Sequence, residues 1–368
     1  MLTPSNLPKL SNSIVLLTVL SVSALANQAD FDNAEMAMDA IQWLPQNTQT
    51  LNLSCSNAQQ STTGAYSSAQ DINYNTPLWE TRVSSDWSFF SNESQGKILV
   101  IDSDNTLAEP RYRYLSNGTQ NHLIEPWSAS KVFAFTGAMA KLREMHGIGA
   151  DGAIGEYAIA DLITSIHSYA PDDAAQGNSN AIASFFANIA GRDFLTDLFH
   201  KSWLNLSNGH VMFRGAYGTE ILTPALMTWT GSIDAQSFPL TPYTSSTLDP
   251  GYRNYRCDYC GLTGNKAMTT LAMAEFLKRL AVYELDDATR PPFIESSDIE
   301  VLFFGKAADN GDAPIGGMMK GISQQLGTAI ARAISDNKQL TADQAKLVLD
   351  NATRGMWRIY QKTRLGAF

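Results

Sequence analysis

Glu125-Pro-Trp-Ser-Ala-Ser-Lys131 runs directly into the apolar stretch Val132 to Met145, which Gly147 stops. Valine, phenylalanine, alanine, methionine and leucine recur through this stretch, so it reads as a buried helix with a glycine just past its end. Ser128 then falls where the helix begins, and Lys131, three residues on, lies on the same face. A serine hydroxyl is a poor nucleophile at neutral pH and needs a base beside it. A lysine taken out of water loses proton affinity and can serve as that base. The helix N-terminus adds partial positive charge and free N–H groups to receive a developing oxyanion. The plain alternative is a capping serine followed by a snorkelling lysine.

Position decides between this Ser-x-x-Lys and two others, Ser94/Lys97 and Ser335/Lys338. Ser94 precedes a strand and Ser335 falls in a polar break between helices. Before Ser128, Lys97-Ile-Leu-Val-Ile-Asp102 reads as a buried strand and Arg111-Tyr-Arg-Tyr-Leu115 as a half-exposed one, followed by a turn at Asn117-Gly118. Three helices are expected between about Ile154 and Leu204. The middle one is announced by Gly177-Asn-Ser-Asn180 and ended by Gly191. Ser207 to Gly261 is rich in Gly, Pro, Thr and Tyr, a long loop region of the kind that carries function. Further helices are expected at Thr270–Tyr283, Asp298–Phe304, Ile322–Ile334 and Thr341–Ala352, the last opened by the capping box Thr341-Ala-Asp-Gln344. Met356 to Thr363 looks like a strand.

The 368 residues, 44% hydrophobic and 17% charged, can bury a sizeable core. A formal charge of −10 without any Lys/Arg cluster argues against a nucleic-acid partner. Lys9, the apolar run Ile14–Leu20 and the Ala24-Leu-Ala26 site before Asn27 read as a secretory signal peptide over residues 1–26. That run is shorter than the ~20 residues a spanning helix needs, so no stable membrane span is expected after cleavage. Export permits a small loop disulfide between Cys257 and Cys260. Zinc is not expected, because no second Cys or His pair at ligand spacing accompanies them and the five histidines are scattered. No cofactor is implied. Residues 27–76, rich in Gln, Asn, Ser and Thr, read as an N-terminal arm with a helix near Ala34–Leu44, ahead of one large domain over 77–368.

From Trp87 onward the chain resembles the serine β-lactamase and penicillin-binding (DD-peptidase) superfamily, with class A features. Trp127-Ser-Ala-Ser-Lys-Val-Phe133 matches its Ser-x-x-Lys element at the start of a buried helix. Asn178-Ser-Asn180 looks like its Ser-x-Asn element. Asn180 takes the place of the family's catalytic asparagine, and Asn178 stands at the substrate side where the family has a proton-relaying serine. Asn265 to Leu280 is similar to the helix that class A members open with a Thr-Thr pair, a structural likeness without chemistry. Lys362-Thr363-Arg364 corresponds to the family's Lys-Thr-Gly strand, making Lys362 and Thr363 substrate-binding residues, with arginine for glycine and Gly366 two residues late. Lys320-Gly321 is a rival for that role. Glu220 falls in the region of the class A deacylating glutamate but lacks its surroundings.

The resemblance implies an α+β fold: an antiparallel sheet flanked by helices, with an inserted all-helical lobe at about 147–290. Two further strands and a helix follow the Lys-Thr-Gly strand in that family, so the sequence reads as a fragment, and a partner for Cys55 would lie beyond Phe368. The implied activity is acyl-enzyme formation at Ser128 on a small-molecule or peptidoglycan-type substrate: a β-lactam, a D-alanyl peptide or an ester. Ser-Ala-Ser-Lys-Val-Phe133 is also similar to the start of bacterial glutaminases of this fold. The other alternative is a non-catalytic binding protein on the same scaffold. No Gly-x-Ser-x-Gly elbow points to another serine-hydrolase design.

Overall fold

The alternation Arg111-Tyr-Arg-Tyr-Leu and the apolar run before it produce one antiparallel pair, β4 (Leu99–Asp104) and β5 (Arg111–Ser116), with Leu99 opposite Ser116 and Asp104 opposite Arg111. Tyr112 and Tyr114 point into the core while Arg111 and Arg113 stay half-buried, as a period of two requires. In a computed structural model, residues 14–15, 66–92, 96–104, 109–232, 236–249, 251–253, 266–306, 316–320, 323–355, 357, 359–360 and 362 are described. The expected arm helix, the three cysteines and Thr363 lie outside these residues. On the far side of β4 is the two-residue strand β1 (Ile14–Val15). On the far side of β5 are β2 (Ser67–Ser68), antiparallel, and β3 (Ser84–Asp86), parallel.

The described residues form nine α-helices: α1 (Ala69–Ile72), α2 (Lys131–His146), α3 (Ile159–Ser168), α4 (Ser179–Ala190), α5 (Arg192–Asp197), α6 (Thr270–Ala281), α7 (Ser296–Phe304), α8 (Ser323–Ile334) and α9 (Ala342–Thr353). Helix α2 is buried on every side from Lys131 through Ala140, which places it in the middle of the core. It packs most extensively on α4. Gly137 lets α5 close on it, because a Cβ there would sit 2.2 Å from Leu195 Cδ2. The expected caps form: Gly147 ends α2 in the left-handed region, and Thr341 with Gln344 closes a capping box on α9.

The chain is thus α+β, with helices and several small sheets. The 147–290 region is not all-helical, contrary to the expectation. It holds a four-stranded sheet of β7 (Ala153–Ile154), β8 (Tyr157–Ala158), β11 (Thr228–Thr230) and β12 (Ser237–Pro239), and a hairpin of β9 (Pro171–Asp172) with β10 (Ala175–Gln176). Two glycines allow the sheet. A Cβ on Gly152 would lie 2.1 Å from the Thr230 carbonyl oxygen, and one on Gly155 2.6 Å from that of Leu226. The tail also departs from expectation: its described residues Trp357, Ile359, Tyr360 and Lys362 form no strand. Side chains anchor it instead. Trp357 Nε1 donates to Asp350 Oδ1 at 2.8 Å, and the Tyr360 ring packs 4.6 Å from that of Phe303.

A second charged interior sits where α6 meets the tyrosines of β5. Glu275 accepts from Lys278 at 2.8 Å and from Arg279 at 2.7 Å, all three buried, while Tyr114 donates to Glu275 at 2.8 Å. The carboxylate holds two cations that water cannot reach. Glu275→Gln is expected to cost about 3–5 kcal/mol, seen as a marked fall in the thermal unfolding midpoint.

Candidate active site

Ser128 lies in a 3₁₀ turn, Trp127–Ser130, that leads into α2, and its side chain is buried. Trp127, immediately before it, has φ 47°, and Tyr169, just past α3, has φ 58°. For bulky residues this left-handed region costs about 1–3 kcal/mol each. Here it points the Tyr169 side chain at the serine, and the Tyr169 hydroxyl is hydrogen-bonded to Ser128.

Three lysines and two tyrosines form a row through the site. Lys362 Nζ lies 4.2 Å and Lys131 Nζ 4.9 Å from the centroid of Tyr169. Lys131 Nζ is also 5.9 Å, and Lys266 Nζ 4.9 Å, from the centroid of Tyr217. A neutral oxygen accepts a hydrogen bond from each lysine. Lys131 donates to Ser179 Oγ at 2.9 Å, and Ser179 donates in turn to the Ile166 carbonyl at 2.9 Å. Lys362 donates to that same carbonyl at 2.9 Å and to the Tyr169 hydroxyl at 3.0 Å. Ile166 is in the last turn of α3, where carbonyls lack helical partners and the helix dipole is negative. Lys266 donates to the Ala216 carbonyl at 2.9 Å, with Glu125 Oε1 3.9 Å away. The pairing of β13 (Met268–Thr269) with β6 (Leu123–Ile124) brings the segments carrying Lys266 and Glu125 together. Tyr217 donates to the Ser130 carbonyl at 2.9 Å and its hydroxyl lies 3.1 Å from Ser130 Oγ.

Burial governs the proton affinities. Lys131 is 1% exposed; desolvation, then repulsion from Lys266, lowers its pKa to about 7. Desolvation lowers Lys266 to about 8, with Glu125 opposing the shift. Lys362 is pushed well below the usual lysine range by desolvation and by Lys131. Burial drives Tyr169 and Tyr217 upward, so both phenols keep their protons at neutral pH. The site therefore offers an amine that gives up its proton near neutral pH, beside a serine and a proton-bearing phenol. The chemistry it can do is proton transfer at a nucleophilic hydroxyl.

The structure brings Ser128, Lys131 and Lys362 into one cluster. Asn178 caps α4, its side-chain oxygen accepting from the Ala181 N–H at 3.1 Å, and its amide bonds to the Glu220 carboxylate at the surface. Asn180 is exposed and faces the Gly218 turn. Between them, Ser179 is the residue that reaches Lys131. Lys320 lies near Asp172. Sequence reading missed Tyr169, Ser179, Tyr217 and Lys266. Ser179 lay inside the quoted Asn-Ser-Asn triplet and Lys266 inside the segment read as purely structural. Nothing in spacing marked the tyrosines. The cleft lined by Gln70, Tyr74, Glu109 and Asp286 contains none of these residues. Among the described residues no His/Cys/Asp/Glu group could hold a metal ion, and no helix is long and apolar enough to cross a membrane.

Because the unfolded chain binds a proton on Lys131 up to about pH 10.4 and the folded chain only up to about pH 7, this residue destabilises the fold below that window. Stability rises as pH climbs through it. Lys131→Met is expected to raise the unfolding midpoint, fully at pH 7 and below and vanishingly above pH 10.5, as thermal denaturation across pH measures. No protein-family model, curated protein or solved structure matches this chain.

Proposed function

We propose that this chain is an exported serine hydrolase of the β-lactamase and penicillin-binding kind, acting by acyl-enzyme formation at Ser128 on a β-lactam, a D-alanyl peptide or an ester. The observation that carries the reading is the burial of Lys131, one turn along from Ser128, with the neutral Ser179 hydroxyl as its acceptor, which lowers its proton affinity. Export rests on the Lys9, Ile14–Leu20 and Ala24–Ala26 pattern.

In this mechanism Lys131 takes the Ser128 proton as the oxygen attacks the carbonyl carbon. The carbonyl π pair moves to oxygen, near the positive end of α2. When the tetrahedral species collapses, the bond to the leaving group breaks and its electron pair takes a proton. Tyr169 supplies that proton and is restored from the protonated Lys131. Tyr169 fits this part because its hydroxyl touches Ser128 and two lysines flank its ring. Water then hydrolyses the acyl-enzyme.

The test is covalent labelling with a fluorescent penicillin and with an activated ester, read by intact-mass and peptide mass spectrometry. One adduct on Ser128 is expected, absent in Ser128→Ala, forming with a rate that rises through about pH 7 as Lys131 deprotonates. Lys131→Met is expected to slow it about 10²–10⁴-fold. Ligand binding that survives Ser128→Ala, without any adduct on the intact chain, would replace this reading with that of a binding protein.

A further inference from the structure

The segment that carries Lys266 was legible only as the lead-in to a helix, yet its ammonium shares an aromatic neighbour with Lys131. Both approach the Tyr217 ring, whose centroid is 4.9 Å from Lys266 Nζ and 5.9 Å from Lys131 Nζ. Lys266 is 2% exposed and held in place by the Ala216 carbonyl at 2.9 Å and by Glu125 at 3.9 Å. We propose that Lys266, held beside Glu125 and against the Tyr217 ring that Lys131 also meets, is a positioning residue whose charge disfavours the protonated form of Lys131.

The charges around Lys131 support this. From the α3 side it meets Tyr169, from the tail Lys362, from the 213–220 loop Tyr217, and from the start of α6 Lys266. Glu125 stands 3.9 Å from Lys266, and Arg192 acts on Lys266 and Tyr217. No carboxylate bears directly on Lys131 among the described residues, and Lys266 is the charge that lowers its proton affinity beyond burial itself. Glu125 favours the charged form of Lys266. A carboxylate that favours the charge on one lysine thereby disfavours it on the neighbour. Lys266 also pins the backbone next to Tyr217, so one side chain sets both the wall and the field of the site.

This inference rests on Lys131 serving as the base, so its test reads Lys131 directly. The ¹³Cε signal of Lys131, assigned by its loss in Lys131→Arg, is titrated in the full chain, in Lys266→Gln and in Lys266→Arg. Removing the like charge favours the protonated amine, so Lys266→Gln is expected to raise the Lys131 midpoint by on the order of one pH unit. Ser128 labelling at pH 6 then falls about tenfold and recovers by pH 9. Lys266→Arg keeps the charge and is expected to leave the midpoint in place. Should Lys266→Gln not fold, Lys266→Met takes its place. An unmoved midpoint in the neutral variant overturns the proposal, as does a midpoint in Lys266→Arg that moves as far. A loss of labelling equal at every pH would assign Lys266 a structural role only. If Ser128 takes no adduct in the unaltered chain, the acyl-enzyme reading fails, while the titration still decides this one.

Discussion

An ammonium at the centre of a hydrophobic core must be paired or must give up its proton, and the arrangement around Ser128 follows from that constraint. The molecule shows both solutions. Lys278 on α6 is buried against Glu275 at 2.8 Å, with Arg279 on the same carboxylate, and tyrosine hydroxyls close the network. Lys131 on α2 is buried against a serine hydroxyl and two phenol rings, each of which also meets another lysine. In the first arrangement a carboxylate opposes the loss of the proton, and in the second none does among the described residues. The second stands one turn from a serine.

A free amine is useful only if its surroundings stay fixed, and the residues that surround it come from segments far apart in the chain. The 213–218 loop shows how this is met. Arg192, without exposed surface, donates to the Gly215 carbonyl at 3.1 Å; Lys266 holds the Ala216 carbonyl; the Ser184 hydroxyl accepts from Tyr217 N–H at 3.4 Å; and Ser246 donates to the Gly218 carbonyl at 2.7 Å. Successive backbone groups are each tied to a different element. A loop without regular structure thereby acquires the rigidity of one.

The local features were legible because their causes are local. An apolar run with a glycine after it specifies α2, alternation specifies β5, and Thr341 with Gln344 specifies the start of α9. Ser128 and Lys131 were legible for the same reason, since their relation is a matter of three residues along one helix. The small sheet of β7, β8, β11 and β12 was not, because it depends on close approaches at Gly152 and Gly155 to chain some seventy residues away. Nor was Tyr169. Its position past α3 required a left-handed backbone, which favours glycine or asparagine there.

The tail shows where a motif and its physical setting come apart. Lys362 was singled out from a Lys-Thr pair expected on a strand, and it reaches the site without one. What carries it there is Trp357 bonded to Asp350 on α9 and Tyr360 packed on Phe303 and Phe304 of α7. Helices α8 and α9 pack chiefly on each other, with Ala331, Leu340, Ala345, Leu349 and Trp357 as a small core of their own. Trp357 thus belongs to that hairpin while Tyr360 belongs to the main core. Lys362, two residues further, gives its hydrogen bonds to the Ile166 carbonyl and to the phenol that touches Ser128. The hairpin's packing and the placement of the third lysine are therefore joined through a few residues of chain. A side chain can be recruited by aromatic anchors and a helix-end carbonyl as well as by a ladder, and the lysine's chemistry depends on where its nitrogen arrives.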